Sequence, residues 1–379
     1  MHNYSIKEIQ KLDDFEKLKT IWDSFAEKQV EYGYFLNHDW FKLWFEHFLK
    51  NNRLHILLLY EGDEIVAITP LLLIKEKYRA TSVNKIILIG NAYSPIRDIL
   101  FKESDLSRRK NHLRYIFDYL TLNLKQWNLM ELYPLREDGG SYEALKDVIK
   151  ERGYFSKEEN YTENWFDNNV TQSFDEYLKK RSRQFRKQLK RLRNRLEELG
   201  IVEIKFLWNS DCVDDWMDYY YEVYSRSWKK REAIGPTFHK DLARMSAKTG
   251  NLRLGLLFLN NKPIAAEYCI IHSKRAHLLK GAYDEEYSFY GPGNIIYYEM
   301  IRHLIERDGI TGIDLGHGNE EYKKGLASEK RILKKIIIFN KNIKGKVIAM
   351  LEIIIAPRLK KYKLINKIHK SKAFKFLRE

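Results

Sequence analysis

The sequence predicts an α/β protein with mixed sheets, built from two copies of one unit, and three observations carry that prediction. First, two stretches align: Leu54–Tyr60 falls on Leu252–Phe258 at a slide of 198 positions, and after the polar turns Glu61–Glu64 and Leu259–Pro263, the second one residue longer, Ile65–Ala67 matches Ile264–Ala266. Each reads as a strand, a turn and a second strand, the pattern of a β-hairpin. Second, the order of elements around the hairpins repeats. Third, a long basic segment with helical periodicity lies between the halves.

In chain order, a helical region precedes each hairpin, Ile21–Leu49 in the first half and Val213–Ala247 in the second. Further strand and a helix follow, then a last strand, Leu129–Tyr133 or Ile310–Leu315. The repeat is therefore helix–hairpin–strand–helix–strand. Between the halves, Leu178, Phe185, Leu189, Leu192, Leu196 and Leu199 recur at spacings of three, four and seven, which predicts one long amphipathic helix from Phe174 to Leu199, stopped by Gly200. These patterns place a first domain over 1–165, a basic connecting helix over 171–200, a second domain over 201–340 and a basic amphipathic tail over 341–379.

A chain of 379 residues with 44% apolar and 14% aromatic residues has material for two packed cores. Its two cysteines, Cys212 and Cys269, sit far apart among apolar or aromatic neighbours. That supports neither a disulfide framework nor a cysteine metal site, and fits a reducing compartment. Residues 1–21 lack an apolar signal-peptide core. The longest apolar run, Val347–Ala356, contains Glu352 and falls short of the ~20 residues a membrane span needs. The expected location is the cytoplasm, with peripheral attachment to the inner face of the membrane as an option.

Of the net charge of +15, residues 330–379 hold +14, so the body is close to neutral. Within the body, Lys179–Arg195 carries ten basic residues and no acid. A helix that needs only solubility mixes signs to gain i,i+4 pairs. This one is either a solvated connector or an anion-binding surface.

The densest group of chemistry-bearing residues runs from Tyr283 to Lys323. Tyr283-Asp284 ends a strand, and Tyr290-Gly291-Pro292-Gly293-Asn294 breaks the chain before a helix over Ile295–Arg307. Such a break is a plain turn, or it is a phosphate site, because the first N–H groups of a helix and its dipole attract anions. Beyond, a strand ending at Asp314 runs into Gly316-His317-Gly318-Asn319-Glu320-Glu321-Tyr322-Lys323, at the carboxyl end where α/β sheets place their sites. His317 is a general base or a hydrogen-bonded loop residue, and Glu320 is a second proton acceptor. Lys323 suits neutralisation of developing negative charge. The chain has no G-x-S-x-G elbow, P-loop, H-E-x-x-H or G-x-G-x-x-G, so the hydrolase, P-loop, zincin and Rossmann readings lose their support.

On Arg181-Ser182-Arg183 through Arg186-Lys187, Pro263–Ala266, Tyr283-Asp284, Gly291-Pro292-Gly293, and Asp314-Leu315-Gly316-x-Gly318 followed by Glu320-x-Tyr322-Lys323, the chain resembles the CelD/BcsL-type acyltransferases. These are a GNAT-superfamily branch connected with cellulose and exopolysaccharide biosynthesis. It is also similar to the Fem-type peptidoglycan aminoacyltransferases, which duplicate the GNAT unit. The resemblance implies tandem GNAT-like domains and acyl transfer from a thioester, with acyl-CoA as donor or with acyl carrier protein or aminoacyl-tRNA in its place, and no metal. The implied acceptor is a small-molecule or lipid-linked sugar of the cell envelope. Lys323 is implied to stabilise the tetrahedral intermediate. Asp314, His317, Glu320 and Tyr322 are catalytic candidates beside it. Tyr290, Gly291, Gly293 and Asn294 stand as the donor site, and Tyr283, Asp284, Arg183, Arg186 and Lys187 as substrate contacts.

Two departures qualify this. Asn319 stands where relatives carry an acid, and the usual R/Q-x-x-G-x-G/A pyrophosphate loop is missing. In the first half, Ser94-Pro95-Ile96-Arg97-Asp98 occupies the corresponding loop, which points to a substrate or structural platform there. The tail fits an anionic membrane, the protein's own body or RNA. Nucleic acid enters otherwise only with an aminoacyl-tRNA donor. A non-catalytic scaffold of the same fold is the remaining alternative.

Overall fold

The computed structural model describes residues 3–29, 31–78, 81–170, 173–209, 211–229 and 235–358. The first half comprises β1 (Tyr4–Ile9), α1 (Leu12–Glu16), α2 (Lys19–Ala26), α3 (Gly33–Leu36), α4 (His38–Phe48), β2 (Arg53–Glu61), β3 (Glu64–Tyr78), β4 (Thr81–Leu88), β5 (Leu100–Phe101), α5 (Leu106–Asn123), β6 (Leu129–Arg136), α6 (Tyr142–Glu151) and β7 (Phe155–Asp167). The second comprises α7 (Phe174–Lys179), α8 (Arg183–Glu197), β8 (Val202–Leu207), α9 (Val213–Ser225), α10 (Thr237–Lys248), β9 (Leu252–Leu259), β10 (Lys262–His272), β11 (Arg275–Tyr283), a 3₁₀ segment Glu285–Tyr290, α11 (Pro292–Glu306), β12 (Gly312–His317), α12 (Glu321–Leu326) and β13 (Glu329–Phe339). The helix α13 (Ile343–Ala349) continues as a π-helical turn, Met350–Ile355.

Contacts divide the chain into two compact units, one of residues 3–25, 51–161 and 333–358, the other of 26–50 and 162–332. The sequence reading places the boundaries one after another along the chain. The structure interleaves them, because Leu333–Phe339 of β13 completes the first sheet by pairing with β6, whereas α3 and α4 pack in the second unit, Trp40 against Phe238 of α10.

In the first unit β1–β2, β2–β3 and β3–β4 are antiparallel, β4–β6 parallel and β6–β13 antiparallel. In the second, β8–β9, β9–β10 and β10–β11 are antiparallel, β11–β12 parallel and β12–β7 antiparallel. The order of pairings is the same. Each parallel pair holds for three residues only, Lys85–Ile87 with Leu129–Glu131 and Arg275–His277 with Gly312–Asp314. Past His277 and Asp314, β11 and β12 no longer pair with each other, which opens the sheet between them on its carboxyl side.

Burial follows the hairpin pattern. In the first unit Leu57, Leu59, Val66 and Leu71 pack on Leu113, Phe117 and Leu145 of α5 and α6. In the second, Leu257, Ile264 and Ala265 pack on Leu192 and Leu196 of α8 and Ile295 and Ile296 of α11.

The segment Phe174–Leu199 is two helices. Its break lies at 180–182, where the Arg181 side chain is buried, paired with Asp167, donating to Ser328 Oγ at 2.8 Å and lying 4.4 Å over the Tyr177 ring. A guanidinium taken out of water needs such a partner, and the chain turns to provide it. The basic segment is also a packed member of the second unit, through Leu189, Leu192 and Leu196, in place of a free connector. The helical region Ile21–Leu49 is likewise divided, by Asn37, whose side chain accepts from the Trp40 N–H and caps α4. β1 has no counterpart in the sequence reading. Of the predicted tail, residues 359–379 lie outside the described residues.

Candidate active site

β10 is an apolar strand with one carboxylate in it. From Pro263 to Ile271 every residue except Glu267 is apolar or aromatic, and Glu267 is 1% exposed. Its partners on both neighbouring strands are glycines, Gly255 on β9 and Gly281 on β11. A Cβ on Gly281 would fall 2.2 Å from Glu267 Oε2, so it is the missing side chain that lets the carboxylate lie there. Glu267 Oε1 is buried and has no hydrogen-bond partner among the described residues. Burial pushes this carboxyl up to about 8, against the pull of Lys229 and Lys323. The register with β11 shifts directly afterwards, between Tyr268 and Cys269, an irregularity of the kind that re-aims side chains beside functional sites.

Glu267 lines a cavity of about 380 Å³. Ala266, Ala282, Ile296 and Tyr297 give it apolar walls, and Trp228, 60% exposed, stands with Glu320 and Tyr322 among its lining residues. The Lys229 ammonium donates to the Gly281 carbonyl. Lys323 is 3% exposed, donates to the His317 carbonyl and lies 2.9 Å from Glu320 Oε2. Burial raises the Glu320 carboxyl, but the Lys323 hydrogen bond, a backbone hydrogen bond and the charges of Lys323 and Lys229 together hold the group below its ordinary value. The Tyr297 hydroxyl is pushed up by burial and by its neighbours Tyr322 and Glu267, so it stays protonated and able to donate. A carboxylate that readily takes a proton thus sits near two ammoniums and a phenol, the combination proton transfer with charge stabilisation requires.

The start of α11 is less of an anion cradle than its sequence suggests. Gly291 caps it at φ 60° and Pro292 is its first residue, which has no N–H to offer. The Asn294 and Ile295 N–H groups donate to the Gly291 carbonyl at 3.0 and 3.2 Å. The turn offers the Gly293 N–H in place of a row of three.

Of the residues singled out from the sequence, Tyr283, Gly291, Gly293, Asn294, Glu320 and Tyr322 line this cavity, with Lys323 and the His317 carbonyl linked to it through Glu320. The others are placed elsewhere. Asp314 is buried in a polar network, accepting from Tyr32 Oη at 2.5 Å, Asn164 Nδ2 at 2.8 Å and the Gly316 N–H at 2.7 Å, with Arg331 at 3.7 Å. Burial alone would raise its carboxyl, yet His277, Arg331 and Tyr32 hold it low. Asp284 accepts from Arg226 Nε at 2.7 Å and the Glu286 N–H at 3.2 Å and pairs with Lys262 at 3.3 Å, which fixes the turn after β11. Both carboxylates are committed to structure. Tyr290 packs with Leu192 and Ile295. Arg183 and Lys187 stand on the exposed side of α8, and Arg186 faces a separate hollow with Tyr298 and Arg302. Sequence reasoning missed Glu267, Lys229 and Tyr297. The lone acid of an apolar strand is the signal that marks Glu267. Among the described residues no group of three or more His, Cys, Asp or Glu is arranged to hold a metal.

Residues 183–324, which contain this site, match the model of the family described as Acetyltransferase (GNAT) domain. They form a GNAT-type acetyltransferase domain, and the activity class is acyl transfer. The whole chain is similar in fold to a crystal structure of FemX, at TM-score 0.59 and 11% identity, over 91% of this chain and 100% of that one. It is similar as well to a conserved protein of unknown function from Bacteroides thetaiotaomicron, at TM-score 0.52 and 13% identity, over 90% of this chain and 100% of that one. Among curated protein sequences, none matches the chain significantly.

Proposed function

We propose that the cavity around Glu267 moves an acyl group from a thioester, carried by coenzyme A or an acyl carrier protein, to an amine or hydroxyl of a cell-envelope or polysaccharide precursor. The observation that carries the reading is a buried carboxylate with an unpaired oxygen in the cavity wall, flanked by two ammoniums. In the reaction, the Glu267 carboxylate takes the proton of the acceptor N–H or O–H as that atom attacks the thioester carbonyl. The carbonyl π electrons move to oxygen, and the oxyanion is stabilised by Lys323, with the Gly293 N–H and the Tyr297 hydroxyl as further donors. Collapse of the intermediate reforms the carbonyl and expels the thiolate, which leaves as the thiol once protonated. Apolar walls favour this by keeping water from the thioester. The choice of a sugar-like acceptor rests on the resemblance to the CelD/BcsL-type enzymes.

The test is thiol release from acetyl-CoA and longer acyl-CoAs with a panel of amines and hydroxyl acceptors. Glu267→Gln is expected to lower kcat at least ~100-fold, the usual contribution of a positioned base, while donor binding persists. Full turnover in that variant would falsify the assignment. Lys323→Ala is expected to lower kcat as well, with the fold retained by circular dichroism.

A second reading, transfer of an aminoacyl group from tRNA, is favoured by the FemX-like fold over 91% of the chain and by the exposed Arg183, Lys187 and Arg191 on α8. It predicts tRNA binding that weakens steeply with salt, as counterion release requires. A rise in melting temperature with charged tRNA and none with any acyl-CoA would decide for it.

A further inference from the structure

The helix that follows β13 is apolar on two faces. One is docked: Ile348 and Ala349 pack with Val83, Leu129, Ile337 and Phe339 of the first unit, and Gly345 lies so close that a Cβ there would come within 2.2 Å of the Asn340 carbonyl oxygen. On the other, Ile343, Val347, Met350 and Ile354 are 84, 53, 55 and 42% exposed. Their spacings of four, three and four put them on one stripe. A surface helix ordinarily turns a single apolar face inward and a charged face outward, so an outward stripe of four large apolar side chains marks a surface that something covers.

Charge identifies the occupant. Lys341, Lys344 and Lys346 are exposed beside the stripe and Arg358 is exposed at its end. The one acid in residues 341–358, Glu352, is buried. The sequence that follows, 359–379, adds eight Lys and Arg against Glu379. A second copy of the chain would bring the same positive charge to the contact, which repels. An anionic bilayer supplies both an apolar interior and phosphates. Among the described residues no helix is long and apolar enough to cross a membrane, so the geometry is that of a helix lying in the interface.

We propose that this helix docks the protein on an anionic lipid surface, the Ile343–Val347–Met350–Ile354 stripe entering the headgroup–acyl boundary and the flanking lysines meeting lipid phosphates. The experiment is co-sedimentation of the full chain with vesicles of mixed phosphatidylglycerol and phosphatidylcholine, and with vesicles of phosphatidylcholine alone. Binding to the anionic vesicles is expected, weakening with salt. It is expected to fall at least about tenfold in the triple variant Ile343→Ser, Val347→Ser, Ile354→Ser, whose melting temperature stays that of the parent because these side chains are exposed. Absence of binding, equal binding to both vesicle types, or unchanged binding by a folded triple variant would each overturn the proposal. So would a dimer in light scattering that the triple variant dissolves.

Discussion

The carboxyl of Glu267 is pushed from an ordinary 4.5 up to about 8 by burial, and a raised carboxyl pKa has a definite sign. The folded state binds the proton more tightly than the unfolded chain, so ionisation opposes folding as pH climbs from the unfolded value to the folded one. Melting temperature is therefore expected to fall between about pH 5 and pH 8 in the parent and to fall less in Glu267→Gln. The same group sets the pH–rate profile: the base works as carboxylate, so kcat/KM rises with pH through an apparent pKa near 8 and flattens above it. Gly281→Ala adds a sharper check, because its Cβ meets Glu267 Oε2 and no acid or base is removed. Loss of activity comparable to that of Glu267→Gln is expected, and normal kinetics would show that the carboxylate acts from another position. Asp314 behaves in the opposite way, its value lying in the fold. Asp314→Ala removes one of the two carboxylates beside the Arg331 guanidinium named here, Glu31 being the other, and is expected to cost about 3 kcal/mol in urea denaturation, the lower end for breaking a buried pair.

At the scale of elements, Gly291 holds the entry to α11 at φ 60°, and a Cβ there would come within 2.8 Å of Leu192 Cδ1. Gly291→Ala is expected to lose about 1–2 kcal/mol from the left-handed backbone alone, more if Leu192 is displaced, measured as a shifted denaturation midpoint. Much of this architecture was legible in the residues. The hairpins Arg53–Tyr78 and Leu252–His272 announce themselves because each sets two apolar runs about a short polar turn, and α11 because Gly-Pro-Gly precedes an apolar repeat. The break at Arg181 was not legible, since its cause is Asp167 and Ser328, distant in sequence. Nor was the commitment of Asp314 to Tyr32, 282 positions away. The Gly-rich loop after β12 drew attention from Glu267, whose isolation in an apolar strand was visible, although its two glycine neighbours appear only when register is known.

For the molecule as a whole, duplication of the sheet pattern does not duplicate the chemistry. Strand register puts Thr69 in the place of Glu267, since Thr69 pairs with Leu57 where Glu267 pairs with Gly255, the residue that the first strand of the hairpin aligns with Leu57. The first unit has neither the acid nor the space for it, and its Arg97 and Asp98 loop is packed, a Cβ on Gly90 or Gly140 meeting those side chains. One acyl donor per chain is the expected stoichiometry in isothermal titration calorimetry; two equivalent sites would restore catalytic standing to the first unit.

The strand Leu333–Phe339 pairs with β6 of the first unit although it follows residues 162–332 of the second along the chain. While the ribosome is still building the second unit, β6 has an open edge of unpaired backbone groups, the kind of edge that invites wrong partners. The first half, then, is begun early and finished late. A nascent chain halted before residue 333 should expose that edge to added β-forming peptides, and a chain released past residue 339 should not.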